Sequence, residues 1–196
     1  MRSTARILGA AWLAGAGGMG LQAAWLGVAG LVAGQSVAAA YGPGAYVAGW
    51  ALGAWLGGRS HATERAEKAR GMAWVLAGNA LALALLVLDL PFVTARTLLA
   101  LASCALGSGF FLTCAARALG RIYARASLSA LLTASLVGSL CGALGLGLHA
   151  TAEWGRDGAL ALSLTTLVAG FVLLPRHGTG ASASDVRPVH PDRLAL

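Results

Sequence analysis

Charge is what this chain of 196 residues has least of: Asp, Glu, Lys and Arg make up 11% of it, against about 25% in ordinary globular domains. Residues 7 to 58 contain none of the four. No water-facing surface can be built over such a stretch, which excludes an ordinary soluble domain. Cysteine is also scarce. Cys104, Cys114 and Cys141 all fall within apolar segments, which excludes a disulfide framework and leaves them as small, soft packing residues. Alternation of period two is missing, which argues against a transmembrane β-barrel. The 28 glycines are scattered among Ala, Leu and Val rather than gathered with Ser and Pro, so a flexible linker is a poor reading.

What is present is apolar, at 58% of the residues and a mean hydropathy of +0.74. Charged residues divide the chain into six apolar segments, near residues 7 to 31, 37 to 58, 71 to 88, 91 to 116, 126 to 152 and 158 to 175. The first two meet at Gly34-Gln35-Ser36. A transmembrane helix needs about 20 apolar residues, so each segment is long enough to span, with some tilt. The expected fold is an all-α membrane protein of six transmembrane helices over residues 1 to 175, followed by a cytoplasmic tail, residues 176 to 196. That tail combines Gly178, Gly180, Pro188 and Pro191 with charges of both signs, a composition of disorder in isolation. At the other end, Arg2 and Arg6 precede an apolar run that outlasts the core of a signal peptide, about 7 to 15 residues. It reads as a retained first helix.

Orientation follows from the basic residues. Of the 14 Lys and Arg, all but Arg96 and Arg156 fall in the N-terminal stub, the second connection, the fourth connection or the tail. Those four stretches share one side of the membrane, and the excess of positive charge makes it the cytoplasmic side. The formal charge of +7 is thus mostly a topology signal. It points to membrane lipids rather than nucleic acid as partner.

Several features could carry chemistry. Gly49, Gly53 and Gly57 recur every four residues, and Gly138 with Gly142 repeats the spacing. Such faces let helices approach closely, either as plain packing within the chain, which is favoured, or as a moving or dimerising interface. Gly42-Pro43-Gly44 interrupts the second segment, and a kink or broken helix is expected there. A break of that kind, with Gln22 and Gln35, could lie along a substrate path. Arg117, Arg121 and Arg125 form a stripe at four-residue spacing. They either hold the inner end of the fourth helix in place, the favoured reading, or contact lipid head groups or a partner. Glu64 and Lys68 suit a short surface helix.

The polar residues within segments are neutral: Gln22, Gln35, Asn79, Ser103, Ser108, Thr113, Thr133, Ser135 and Ser139. No ionisable residue is expected near a span centre, which weighs against a proton-coupled pump. It leaves room for a facilitator of a neutral solute. His149 and Glu153, one turn apart, are too few ligands for a metal site. No nucleophile, zinc-protease, P-loop or dinucleotide motif follows a strand, so no enzyme, metal or cofactor is expected.

Several stretches resemble the membrane half of bacterial spermidine-synthase-like proteins, itself similar to half of a major-facilitator transporter. Residues 17 to 25 (GGMGLQAAW) resemble that family's first helix, and Gly34-Gln35-Ser36-Val37 its Gly-Ser-Ser-Val turn. Residues 51 to 59 (ALGAWLGGR) are similar to the end of its second helix, and residues 115 to 124 (AARALGRIYA) to its Leu-Ala-Arg-Ala and Gly-Arg-Leu-Tyr-Ala stretches. The resemblance covers residues 7 to 175 and implies a multi-pass protein of the bacterial inner membrane. The departures concern polar groups: the family's intramembrane Glu is Gln22 here, and an Arg two positions after its Trp is Gly27. Members usually continue into a soluble aminopropyltransferase domain, whereas here a tail of 21 residues follows the last segment. No catalytic residue carries over.

Three functions remain in view. The first is a non-enzymatic structural or accessory subunit of a membrane complex. The second is a half-size transporter component working as a homodimer. The third is a membrane anchor for a separately encoded aminopropyltransferase-like enzyme.

Overall fold

The structure, a computed structural model, describes residues 2–60, 64–88, 91–120 and 126–174. Among these every regular element is helical: α1 (Arg2–Ala33), α2 (Gln35–Arg59), α3 (Glu64–Val87), α4 (Val93–Gly120), α5 (Ala126–Cys141), a π-helical segment (Gly142–His149) and α6 (Ala150–Leu173). The physical reason is that an apolar solvent offers no partner for backbone N–H and C=O groups. A helix satisfies all of them within one segment.

Four helical stretches are long and apolar enough to cross a membrane, namely Thr4–Ala33, Ala66–Val87, Val93–Leu119 and the 45 residues Ser129–Leu173. Helix α2 falls outside this set because glycine, tyrosine and tryptophan replace aliphatic residues along it. Large apolar side chains nonetheless point outward all round the bundle. Val47, Leu76, Leu136, Leu140 and Leu148 are each more than half exposed. On a protein surrounded by water such a surface would be a liability; next to lipid it is the expected wall.

The helix boundaries differ from the sequence segments in informative ways. Gly34, with φ 93° and ψ 146°, makes the turn between α1 and α2 alone. The surface helix expected before the third segment is instead the start of α3, which runs unbroken from Glu64 to Val87. Of the kink or break expected at Gly42-Pro43-Gly44, the break is absent, since α2 is helical from Gln35 to Arg59. Pro43 removes a single backbone donor, and the rest of the ladder stays intact. The interruption falls elsewhere. Gly155, at φ 70° and ψ −177°, is the non-helical position within α6, between the fifth and sixth apolar segments. The chain turns there, after a π-helical stretch rich in glycine.

Packing follows a repeated scheme. α1 lies against α5 and α6, α4 lies against α2 and α3, and α1 and α4 touch each other. The details correspond. A methyl group at Gly15 of α1 would overlap the Ser135 carbonyl of α5 and crowd the Ser139 nitrogen; one at Gly109 of α4 would overlap the Trp50 carbonyl of α2 and crowd the Ala54 nitrogen. Likewise Gly138 rests on the Trp12 carbonyl as Gly53 rests on that of Leu106. The triplets α1–α3 and α4–α6 are therefore counterparts. Rising residue numbers meet rising numbers in both pairs, so α5 runs parallel to α1 and α2 parallel to α4.

The core lies along the α1–α4 line, filled by Phe110, Phe111, Leu101 and Leu21. Phe111 meets Phe171 of α6 edge to face, centroids 4.9 Å apart. Trp25 Nε1 of α1 donates to Asn79 Oδ1 of α3 over 2.9 Å, and Asn79 Nδ2 donates to the Val75 carbonyl over 2.8 Å.

Candidate functional site

The buried face of α2 is a stripe of Ala38, Gly42, Tyr46, Gly49, Gly53 and Gly57. Five of these are small, so α2 can lie directly on α4. The sixth is a phenol. Tyr46 reaches across to α1 and donates from Oη to the Gly18 carbonyl over 2.8 Å. A side chain at Gly18 would stand in the way: its Cβ would sit 3.4 Å from Tyr46 Oη and 3.1 Å from Ser108 Oγ of α4. Ser108 is held in place by its neighbours. Gly107 lets the helix close on Val75 of α3 and Gly109 lets it close on Trp50 of α2. The Ser108 hydroxyl is buried beside the Tyr46 phenol.

Around these groups is a cavity of about 90 Å³, open on one side and enclosed by α1, α2, α4 and α5. Tyr46, Trp50, Ser108, Phe111, Ser135 and Ser139 give it its chemistry, and none of its lining residues is an acid or a base that would carry charge at neutral pH. Ser139 Oγ also donates to the Gly15 carbonyl at 3.4 Å. Gly18, Tyr46 and Ser108 each fall near the middle of their helices, so the cavity lies at mid-depth in the bundle.

Charge gathers at one end of the bundle instead. There Arg117 of α4 donates to Glu67 Oε1 of α3 over 2.6 Å and to the Ser60 carbonyl over 2.5 Å, and also to the Gly57 carbonyl. One guanidinium thus ties together the ends of α2 and α4 and the start of α3. Arg70 adds a bond to Ser60 Oγ, and Lys68 Nζ reaches the Leu174 carbonyl at the end of α6. At the opposite end Arg96 donates to the Leu88 carbonyl over 2.5 Å.

The residues singled out from the sequence are distributed as follows. Gly49 and Gly53 rest on the Ala102 and Leu106 carbonyls of α4, Gly57 faces Thr113 and Phe110, and Gly142 rests on Ala16 of α1. Gly42 faces Leu26 and Leu101, while a methyl at Gly44 would meet nothing within 4 Å. Gln35 is exposed at the start of α2, with its amide against Gly30, and Gln22 is half-buried. None of Gly42, Pro43, Gly44, Gln22 or Gln35 lines the cavity. Arg117 points into the bundle end, while Arg121, Arg125, Asp89 and the tail from 175 onward lie outside the described residues, as does the Glu64 side chain. His149 and Glu153 are exposed, and among the described residues no three His, Cys, Asp or Glu converge as metal ligands would. Cys104 and Cys114 are buried and Cys141 is exposed, all as free thiols.

Tyr46, Trp50 and Phe111 are the residues of this chemistry that sequence reasoning passes over. The signal that could find Tyr46 is its place as the one large polar residue in an otherwise small-residue stripe. No protein-family model, curated protein or solved structure matches this chain.

Proposed function

We propose that the chain crosses the membrane six times with both termini on the cytoplasmic side, and that it serves as a non-enzymatic subunit of a membrane assembly. The supporting observation is the position of the cavity. A hydroxyl-lined opening sits at mid-depth in a wall that otherwise presents Val, Leu and aromatic side chains. Polar groups facing hydrocarbon are unfavourable unless something satisfies or covers them. A neighbouring membrane protein laid over α2 and α5 would do so. The six-span reading takes α2 as a span despite its lower hydropathy and takes Gly155 as the turn between two more. The cytoplasmic side is then the one where Arg117, Lys68 and Arg70 gather.

Purification in mild detergent followed by native mass spectrometry tests this. A second, different polypeptide in fixed stoichiometry is the expected result, and recovery of the chain only as a monomer overturns it.

A second reading, a half-size transporter component working as a homodimer, draws on the correspondence between α1–α3 and α4–α6. Transporters are commonly built from two such inverted repeats, with a site at the midplane. Recovery of a homodimer alone in the same experiment would favour it over the first.

A further inference from the structure

Two arginines at the charged end of the bundle are not consumed in holding it together. A basic residue in the last turn of a helix ordinarily bonds the final carbonyls. At the end of α2 those carbonyls are served from α4: Arg117 donates to Gly57 and Ser60 and pairs with Glu67 of α3. Arg59, the basic residue of the last turn of α2, lies back along its own helix, its guanidinium 4.0 Å from the centroid of the Trp55 ring. Arg70 of α3 reaches the same corner and donates to Ser60 Oγ over 3.4 Å. Both arginines are exposed, and neither has an ion pair among the described residues.

The surface beneath them is apolar. Trp55 is one turn inward from Arg59 on α2, and Trp74 is one turn inward from Arg70 on α3; the two residues are 50% and 37% exposed. Further in on the same faces are Leu52 and Leu81, also exposed. Aliphatic side chain, indole and guanidinium follow one another as hydrocarbon, interface and phosphate do in a bilayer leaflet. Stacking on the indole holds the Arg59 guanidinium in place while leaving its N–H edge for phosphate oxygens. Two positive groups without an acidic counterpart favour a ligand of net negative charge. We propose that Arg59 and Arg70 form a binding site for the head group of an anionic phospholipid. The guanidiniums are the counter-charges to its phosphate, and its acyl chains run along the Trp55 and Trp74 faces. This rests on α2 and α3 crossing the membrane, as proposed above, and not on the subunit role.

The test titrates the full chain, with any co-purifying partner, with phosphatidylglycerol or phosphatidylcholine in detergent and reads bound lipid by native mass spectrometry. Phosphatidylglycerol is expected to bind at least about tenfold more tightly. Arg59→Gln and Arg70→Gln should each weaken it about fivefold. Arg156→Gln removes the same charge near the start of α6, at the far end of the bundle, and should change it less than about twofold. Equal binding of the two lipids, equal loss in Arg59→Gln and Arg156→Gln, or displacement of the lipid by inorganic phosphate at matched concentration would overturn the proposal. If a variant fails to fold, photolabelling of the unaltered protein in nanodiscs decides. Phosphatidylglycerol carrying a diazirine beside its head group should label residues 52–59 and 70–77 more heavily than phosphatidylcholine carrying the same group. Equal labelling by both lipids keeps the two spans and overturns the site, whereas labelling of those residues by neither overturns both. Partner recovery in the same preparations reads the subunit role separately.

Discussion

Trp25 and Asn79 are joined by a 2.9 Å hydrogen bond between the indole nitrogen of α1 and the amide oxygen of α3. Both are buried, and α1 and α3 otherwise have little to do with each other, since each packs chiefly on other helices. The amide is oriented by its own bond to the Val75 carbonyl one turn earlier, so the acceptor points at Trp25. Replacing Asn79 with Leu should leave the indole N–H without a partner and lower stability by about 1–2 kcal/mol. Unfolding in a mixed-detergent titration measures it; Trp25→Phe, which removes the donor instead, should be the milder change.

Close helix contact makes a second, steric prediction. Gly53→Ala would drive a methyl group into the Leu106 carbonyl, and overpacking of this kind costs about 1–3 kcal/mol. Gly58, five residues on, has nothing within 4 Å of a would-be Cβ. Gly58→Ala should stay within about 0.5 kcal/mol of the unaltered protein. Equal effects at the two positions would show that α2 does not lie on α4 in this register.

At the charged end of the bundle, Arg117→Ala would leave Glu67, 7% exposed, without its ion-pair partner, and the Gly57 and Ser60 carbonyls without the guanidinium donor. Breaking a buried pair from one side is strongly destabilising, here by about 3 kcal/mol given that Arg117 keeps some solvent contact. The double variant Arg117→Met with Glu67→Met should recover most of that loss. A double-mutant cycle on the melting curves reads the coupling.

Gly155 supplies a conformational rather than a steric prediction. A methyl group there would touch nothing, yet the backbone sits at φ 70°, where side chains other than glycine are strained by about 1–3 kcal/mol. Gly155→Ala should therefore destabilise with no loss of contacts. A helix running straight through residue 155 would instead be stabilised by the same change.

Much of the helical layout was legible because its causes are local. Charge-free runs, the Gly34 turn and the small residues at 49, 53 and 57 act over one helix or one bend. Pro43 marks no break in α2, because one missing donor is tolerated where the surrounding ladder persists. The inward turn of Arg117 depends on Glu67, fifty positions away in the chain, and a stripe at four-residue spacing does not say which way it faces. Tyr46 and Trp50 were invisible as site residues for the same reason. Their cavity exists only because α1 meets α5 across more than a hundred residues, and no window along the chain contains both walls.

The correspondence between the two helix triplets also sets an order of assembly. Helix α4 has its chief neighbours, α2 and α3, already made when it is synthesised. Helix α1 meets α5 and α6 only after α4 has been made, and until then Gly15, Gly17 and Gly20 face lipid or a temporary companion. The early half-bundle of α2, α3 and α4 can form during synthesis and hold α1 along α4, while the other face of α1 is covered only when α5 and α6 arrive. Truncation before α6 should therefore spare the first group and leave one face of the first helix uncovered, a division of labour between early and late folding that follows from the connectivity alone.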